Sequence, residues 1–365
     1  MSKRQTTTLR LFGLLMLFVA GCRASPITST PNATVLSSIT AAAPYWPTNG
    51  WRTALPQTQG MDPEKLRQMF TAIEEQTLNV RSLVVVRNGY IVAEYYQSPC
   101  NRNSRHELYS CTKSFVSALV GIAIAKGYLE GTNEPVLECF PDYVFANTDT
   151  RKSAMTIEHL LSMTSGLDWP EGDPIYQQLW SSRDWVQFVL DRPMAAEPGK
   201  QFNYNSGCSH VLSVIVSNRS GMLTQQFAHE HLFAPLGISN VDWSVDSNGL
   251  AIGGWGLNIT ARDMAKFGYL YLNEGVWDGQ QIVPAEWVQA STTAHADAGQ
   301  TFDYGYQWWT YPKWGAYAAK GRYGQLIFVI PEHELVVVFT ARMDDDRPLV
   351  ALIEDYIVPA IQPAD

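Results

Sequence analysis

Apolar residues recur at Leu66, Phe70 and Ile73 behind Asp62 and Pro63, the spacing of one helix face with an aspartate N-cap and a proline in the first turn. The period then changes. In "SLVVVRNGYIVAEYY" two runs rich in β-branched and aromatic residues flank Asn88-Gly89, the strongest short signal for a hairpin turn. From Phe115 to Ala125, "FVSALVGIAIA" is apolar on nearly every side, so the helix it predicts belongs in the core. Strand-like patterning is scarce between about residues 150 and 300, where "TIEHLLSM", "SHVLSVIVSN" and "TARDMAKFGYLYLNEG" read as helices. The last of these has Thr260 as N-cap, Asp263 three residues on, and Gly275 near its end. β character returns in "YGYQWWT", "GQLIFVIP" and "LVVVFTA". A final helix, "RPLVALIEDYIVPAI", follows the acidic run Asp344 to Asp346, and carboxylates there suit the positive end of a helix dipole. Together these elements predict an α+β fold. An antiparallel sheet flanked by helices is built from both chain ends, about 51–149 and 301–365, with a mainly helical insertion at about 150–300.

The N-terminus is a separate matter. Lys3, Arg4 and Arg10 precede the short apolar run "LFGLLMLFVA", which ends at Val19-Ala20-Gly21-Cys22. This is the layout of a signal peptide over residues 1–21, too short for a permanent membrane span. The Cys after Val-Ala-Gly resembles the lipobox of bacterial lipoproteins, which makes Cys22 the expected lipidation site and residues 22–50, rich in Ser, Thr, Pro and Ala, a flexible tether. The expected location is the bacterial cell envelope, at the periplasmic face of the outer membrane or the cell surface, with the membrane met through that lipid. Removing residues 1–21 takes away three basic residues and no acidic one, so the −9 of the whole chain becomes −12. Such an acidic body argues against nucleic acid as a partner. With 365 residues, 46% of them hydrophobic, the chain can bury a large core, and no obligate protein partner is implied. Cys100, Cys111, Cys139 and Cys208 remain, with pairing left open by sequence and with no zinc-like spacing.

Chemistry concentrates at the start of the apolar helix. Ser110, Thr112, Lys113 and Ser114 crowd its first turn, and Ser110 and Lys113, three apart, share a face. A cation there opposes the helix dipole, and burial disfavours its charge. Both effects push the lysine toward the free amine, the base that a serine nucleophile needs. Backbone N–H groups at the same helix start can hold an oxyanion. Ser110/Lys113 is the one Ser-x-x-Lys pair in the chain.

Around that pair, "LYSCTKSF" resembles the first motif of the serine β-lactamase and penicillin-binding superfamily. Other stretches follow in family order: "MTIEHLLSMTSGLDW", "EPGKQFNYNSG", "GWGLNITARDMAKFGYLYLNEGVWDG", "YGYQWW" and "AAKGRYGQLIFVIPEHELVVVFTA". They span roughly residues 50–360, and the nearest likeness is to the class C-like branch that holds esterases and 6-aminohexanoate-dimer (nylon-oligomer) hydrolases. The resemblance implies Ser110 as nucleophile, Lys113 as base and Tyr204 as proton relay, with an oxyanion hole from the backbone N–H of Ser110 and Arg322. It implies no metal or organic cofactor. Two departures stand out. The second motif is Tyr204-Asn205-Ser206 rather than Tyr-x-Asn, and the third is Ala319-Lys320-Gly321 rather than Lys-Thr-Gly. Lys320 therefore sits in the middle position, where strand alternation turns it away from the first. Ser206, Ala319, Lys320 and Gly321 are candidate substrate contacts, as are Trp180, Trp308 and Trp309 among the aromatic residues. His229 and His231, two apart, lack a third ligand nearby in sequence. The expected activity is hydrolysis of small carboxylesters or amides through an acyl-enzyme. The alternatives are a β-lactamase or DD-peptidase-like enzyme, or a non-catalytic envelope binding protein on the same fold.

Overall fold

A computed structural model describes residues 45–299 and 302–362, so the segment expected to be a signal peptide, Cys22 and most of the expected tether lie outside the described residues. Helix α1 (Pro63–Glu75) starts where expected, with the Asp62 carboxylate accepting from the Glu64 amide at 2.8 Å. The hairpin β1 (Val80–Arg87) and β2 (Tyr90–Tyr96) turns at Asn88 and Gly89, whose φ values of 50° and 80° are the left-handed pair a type I′ turn requires. Short β3 (Arg105–Glu107) leads through a 3-10 turn, Tyr109–Cys111, into the apolar helix α2 (Thr112–Ala125).

The middle of the chain is helical: α3 (Thr150–Ser153), α4 (Ile157–Leu161), α5 (Asp173–Ser181), α6 (Trp185–Leu190), α7 (Ser206–Ser220), α8 (Thr224–Ala228), α9 (Ala261–Leu272) and α10 (Ala285–Ser291). Four short strands interrupt it: β4 (Asp242–Trp243) and β5 (Leu257–Thr260), which join β3 in a small sheet, and the pair β6 (Val276–Trp277) and β7 (Gln280–Gln281). Strands of two to four residues offer too few positions for an alternation to register in the sequence. The chain then returns through β8 (Asp303–Tyr304), β9 (Trp309–Tyr311), β10 (Ala316–Gly321), β11 (Gln325–Ile330) and β12 (Leu335–Ala341) to α11 (Arg347–Leu352), continued by irregular turns to Ala360.

The large sheet has the order β2-β1-β12-β11-β10-β9-β8, with β1 antiparallel to β12, so both chain ends build it as expected. Its central strands carry unbroken apolar runs because both faces are covered. Val84, Val86, Ile327 and Val338 face the core of the helical half, while Leu83, Val85, Leu326 and Phe339 face α1 and the C-terminal helices.

The structure corrects one expectation outside the site and answers one question left open. The tether does not run to residue 50, because Pro47–Asn49 form a 3-10 turn, Trp46 lies 5.4 Å from the Trp277 ring, and Trp277 Nε1 donates to Thr48 Oγ1 at 2.8 Å. Burying Trp46 against Trp277 and Tyr269 draws the segment onto the domain. The four cysteines Cys100, Cys111, Cys139 and Cys208 are all free thiols, and burial pushes those of Cys139 and Cys208 up to about 12. Such thiols are packing groups rather than reactive ones.

Candidate active site

Ser110 lies in the 3-10 turn ahead of α2, preceded by Tyr109 with a φ of 46°. A tyrosine in the left-handed region is strained, and that strained residue stands directly before the serine. Lys113 is buried one turn on, and its Nζ lies 2.9 Å from Ser110 Oγ and 2.8 Å from the Gly254 carbonyl oxygen. Burial pulls the Lys113 ammonium down to about 8, with the Glu171 carboxylate partly opposing the shift. As a free amine, Lys113 can give one N–H to Gly254 and present its lone pair to the serine hydroxyl.

Tyr204 completes the group. It precedes α7, whose first turn is capped by Asn205 Oδ1 accepting from the Cys208 amide at 3.0 Å. Its ring sits 4.9 Å from Lys113 Nζ and stacks on Trp309 at 5.9 Å. Burial holds the Tyr204 phenol well above its ordinary range, the neighbouring Tyr304 adds to this, and the Ser110 hydroxyl offsets part of it. The tyrosine segment is fixed from outside the helix, since Asn203 N donates to the Met163 carbonyl at 2.8 Å and Asn203 Nδ2 to those of Leu167 and Trp169.

Strand β10 closes the site from the other side. A Cβ on Gly321 would fall 2.2 Å from the Leu108 carbonyl oxygen and 3.2 Å from the Cys111 amide nitrogen, so only glycine lets the strand end lie against the serine turn. Gly321→Ala is expected to push the two apart and lower kcat/KM by about a hundredfold, the scale of losing one oxyanion donor, with a native circular dichroism spectrum. Steady-state kinetics on an ester substrate check it.

The remaining sequence candidates divide. Trp180 is 57% exposed and, with Tyr109, Tyr176, Trp255, Asp173 and Arg322, lines a cavity of about 240 Å³ that opens on Ser110. The Arg322 guanidinium lies 3.8 Å from the Asp173 carboxylate. Ala319 is buried on the Gly321 face of β10, among the residues of the helical half. Lys320 is not a substrate contact: it points to the opposite face, 3.1 Å from Asp346 and over the Phe302 ring, as strand alternation requires. Ser206 is buried, and its hydroxyl donates to Glu171 rather than to the cavity. Trp308 is also corrected, because it is a core residue with no exposure, stacked on Phe267 and close to Tyr271. Trp309 reaches the site only by backing Tyr204.

Three contributors left no mark in the sequence reading. Glu171, in the loop before α5, accepts from Trp169 Nε1 and from the amide and hydroxyl of Ser206, and also from the Tyr176 hydroxyl. It ties the α7 start to the cavity wall. Buried Gln307 links α4 to α7, donating to the carbonyls of Leu160 and Leu161 and accepting from Ser209, while its own carbonyl accepts from Ser114 of α2. Gly254 acts through its backbone oxygen. The only available signals were the position of Glu171 just past "GLDW" and the uncharged Gln307 inside an aromatic run.

Comparison with known proteins places the chain among beta-lactamase relatives. The Beta-lactamase family profile matches residues 66–357. A 6-aminohexanoate-dimer hydrolase of Paenarthrobacter ureafaciens is 27% identical over 284 residues, 70% of this chain and 71% of the relative. Esterase EstB of Burkholderia gladioli is 27% identical over 209 residues, 50% of this chain and 53% of the relative. Among solved structures, EstCE1, described as a hydrolase with promiscuous acyltransferase activity, superposes with a TM-score of 0.69 at 16% identity, covering 82% of this chain and 99% of its own. At that identity the likeness is one of fold.

Proposed function

This chain belongs to the beta-lactamase family, and from that premise we propose that it is a serine hydrolase of the class C-like kind, acting through an acyl-enzyme on small carboxylesters or amides. The observation that carries the reading is the buried Lys113 Nζ at 2.9 Å from Ser110 Oγ. Lys113 takes the Ser110 proton as the oxygen attacks the substrate carbonyl, and the amides of Ser110 and Arg322 receive the developing oxyanion. Tyr204, beside both groups, passes the proton to the leaving alcohol or amine and then helps draw one from the water that releases the acid. The ammonium left on Lys113 is held by Gly254 until that proton moves on. Relatives named as an esterase and as a dimer hydrolase support an acyl-transfer chemistry of this breadth.

The substrate class follows from the third motif. Penicillins and cephalosporins carry a carboxylate close to the reacting bond, and related β-lactamases meet it with the first-position lysine of that motif. Here that position holds the buried methyl of Ala319, and Lys320 is spent on Asp346. Losing one charge-assisted hydrogen bond costs about 1.5 to 3 kcal/mol, or roughly ten- to more than a hundredfold in affinity. A neutral ester pays none of this and finds aromatic walls in Tyr109, Tyr176, Trp180 and Trp255. Expected kcat/KM for p-nitrophenyl butyrate therefore exceeds that for a chromogenic cephalosporin by at least about tenfold. Faster cephalosporin turnover would overturn the substrate assignment and favour a β-lactamase.

A further inference from the structure

Beside the catalytic cavity lies a second one of about 170 Å³ with a different character. Arg81, Arg105 and Arg342 line it, and among the described residues none of these three guanidinium groups has a carboxylate within ion-pair distance. They come from three places in the chain. Arg105 opens β3, Arg342 follows β12, and Arg81 is the extra residue of a β-bulge, where Val80 pairs with Ala341 and Ser82 with Thr340. A bulge re-aims one side chain out of the sheet's alternation, and such bulges gather beside functional sites. Next to Arg81, Ser82 Oγ holds buried His106 Nε2 at 3.1 Å. Burial and the charge of Arg81 keep that imidazole neutral, at about 4, so it can serve as a hydrogen-bonding wall but adds no charge.

We propose that Arg81, Arg105 and Arg342 form an anion-binding site for a phosphoryl-type oxyanion carrying two or more charges, adjoining the catalytic cavity across Glu107 and Tyr109. Each guanidinium presents a planar fork of N–H donors matched to paired oxygens, and three such forks suit a multiply charged group better than a single carboxylate. The volume accommodates one phosphoryl group or two linked ones and little else. In a chain of net charge −9, a convergence of unpaired arginines is a local device rather than part of a basic surface. Glu107 is the one acid on its wall, and burial raises that carboxyl toward its protonated form, which lessens its repulsion. Glu107 and Tyr109 also line the Ser110 cavity, so the two spaces share a wall beside the nucleophile. The ligand is thus either a free anion held beside the reacting serine or the charged end of a substrate whose ester reaches Ser110.

The site goes beyond the proposed hydrolysis and is tested without turnover. Inorganic pyrophosphate is titrated calorimetrically into the full Ser110→Ala chain at ionic strength fixed with chloride. Saturable one-to-one binding is expected, weakened at least about tenfold in an added Arg81→Gln/Arg342→Gln pair and unchanged by Arg183→Gln, an exposed arginine that lines neither cavity. Circular dichroism and melting of the pair without ligand check that it folds. Heat no different from the chloride control, or equal affinity in the folded pair, would overturn the proposal. With the intact serine, pyrophosphate competing only against a p-nitrophenyl ester with a terminal phosphoryl group assigns the site to a substrate tail. An equal effect on that ester and on p-nitrophenyl butyrate assigns it to a free anion.

Discussion

Ser110→Ala is expected to lower kcat/KM for p-nitrophenyl butyrate by at least about a thousandfold while leaving the fold intact. In the proposed mechanism the serine supplies the oxygen that becomes acylated, and no neighbouring group is suited to replace it: burial raises the ionisation of the Tyr204 phenol well above its ordinary range, and the buried Cys111 thiol is likewise pushed up. Structurally the hydroxyl contributes its hydrogen bond with Lys113 and its contact with Tyr204, so its loss is expected to move the melting temperature by only a few degrees. Stopped kinetics together with an unchanged melt separate a chemical role from a structural one.

Lys113→Met is the second large effect, and it carries a signature in pH. Lys113 ionises at about 8 in the folded chain, against 10.5 ordinarily, because burial disfavours its charge. The base form is the amine, so wild-type kcat/KM is expected to climb as pH rises to about 8 and then level. The methionine variant should lose at least about a thousandfold and with it that rising limb. Stability follows the same proton. Between about 8 and 10.5 the unfolded lysine is still protonated while the folded one is not, so stability increases with pH across that window. Below it, the buried charge costs the folded state on the order of 3 kcal/mol. An apolar side chain of similar length removes that cost, so the variant is expected to melt no lower than wild type at neutral pH while being inactive. A pH–rate profile and melts at neutral and alkaline pH check both halves.

What the sequence disclosed, and what it withheld, divides along physical lines. Asp62-Pro63, Asn88-Gly89 and the run after Phe115 each encode their structure locally, by a cap, a left-handed turn and the absence of a polar face, and each reappears in place. The Ser110/Lys113 spacing works the same way, because one helical turn brings the two together without help from the rest of the fold. Lys320 could be placed on the far face of β10 because strands alternate strictly. The failures are of long range. Trp308 and Trp309 are neighbours in the chain, yet one enters the core and the other backs Tyr204, a division set by which helices cover each face. Ser206 read as a substrate contact because the carboxylate that claims it, Glu171, lies 35 residues away. Gly254 holds Lys113 with a backbone carbonyl, a group every residue has, 141 residues distant. The end of the tether was misplaced because Trp46 and Thr48 are ordered by Trp277, which only the fold brings near.

The central claim, that Ser110 is a nucleophile activated by Lys113, is tested most directly by labelling the intact chain with a fluorophosphonate and mapping the modified peptide by mass spectrometry. The expected result is one stoichiometric adduct on Ser110, formed faster as pH rises toward about 8 and lost in Lys113→Met. An adduct on another serine, or none on a folded chain, would contradict it.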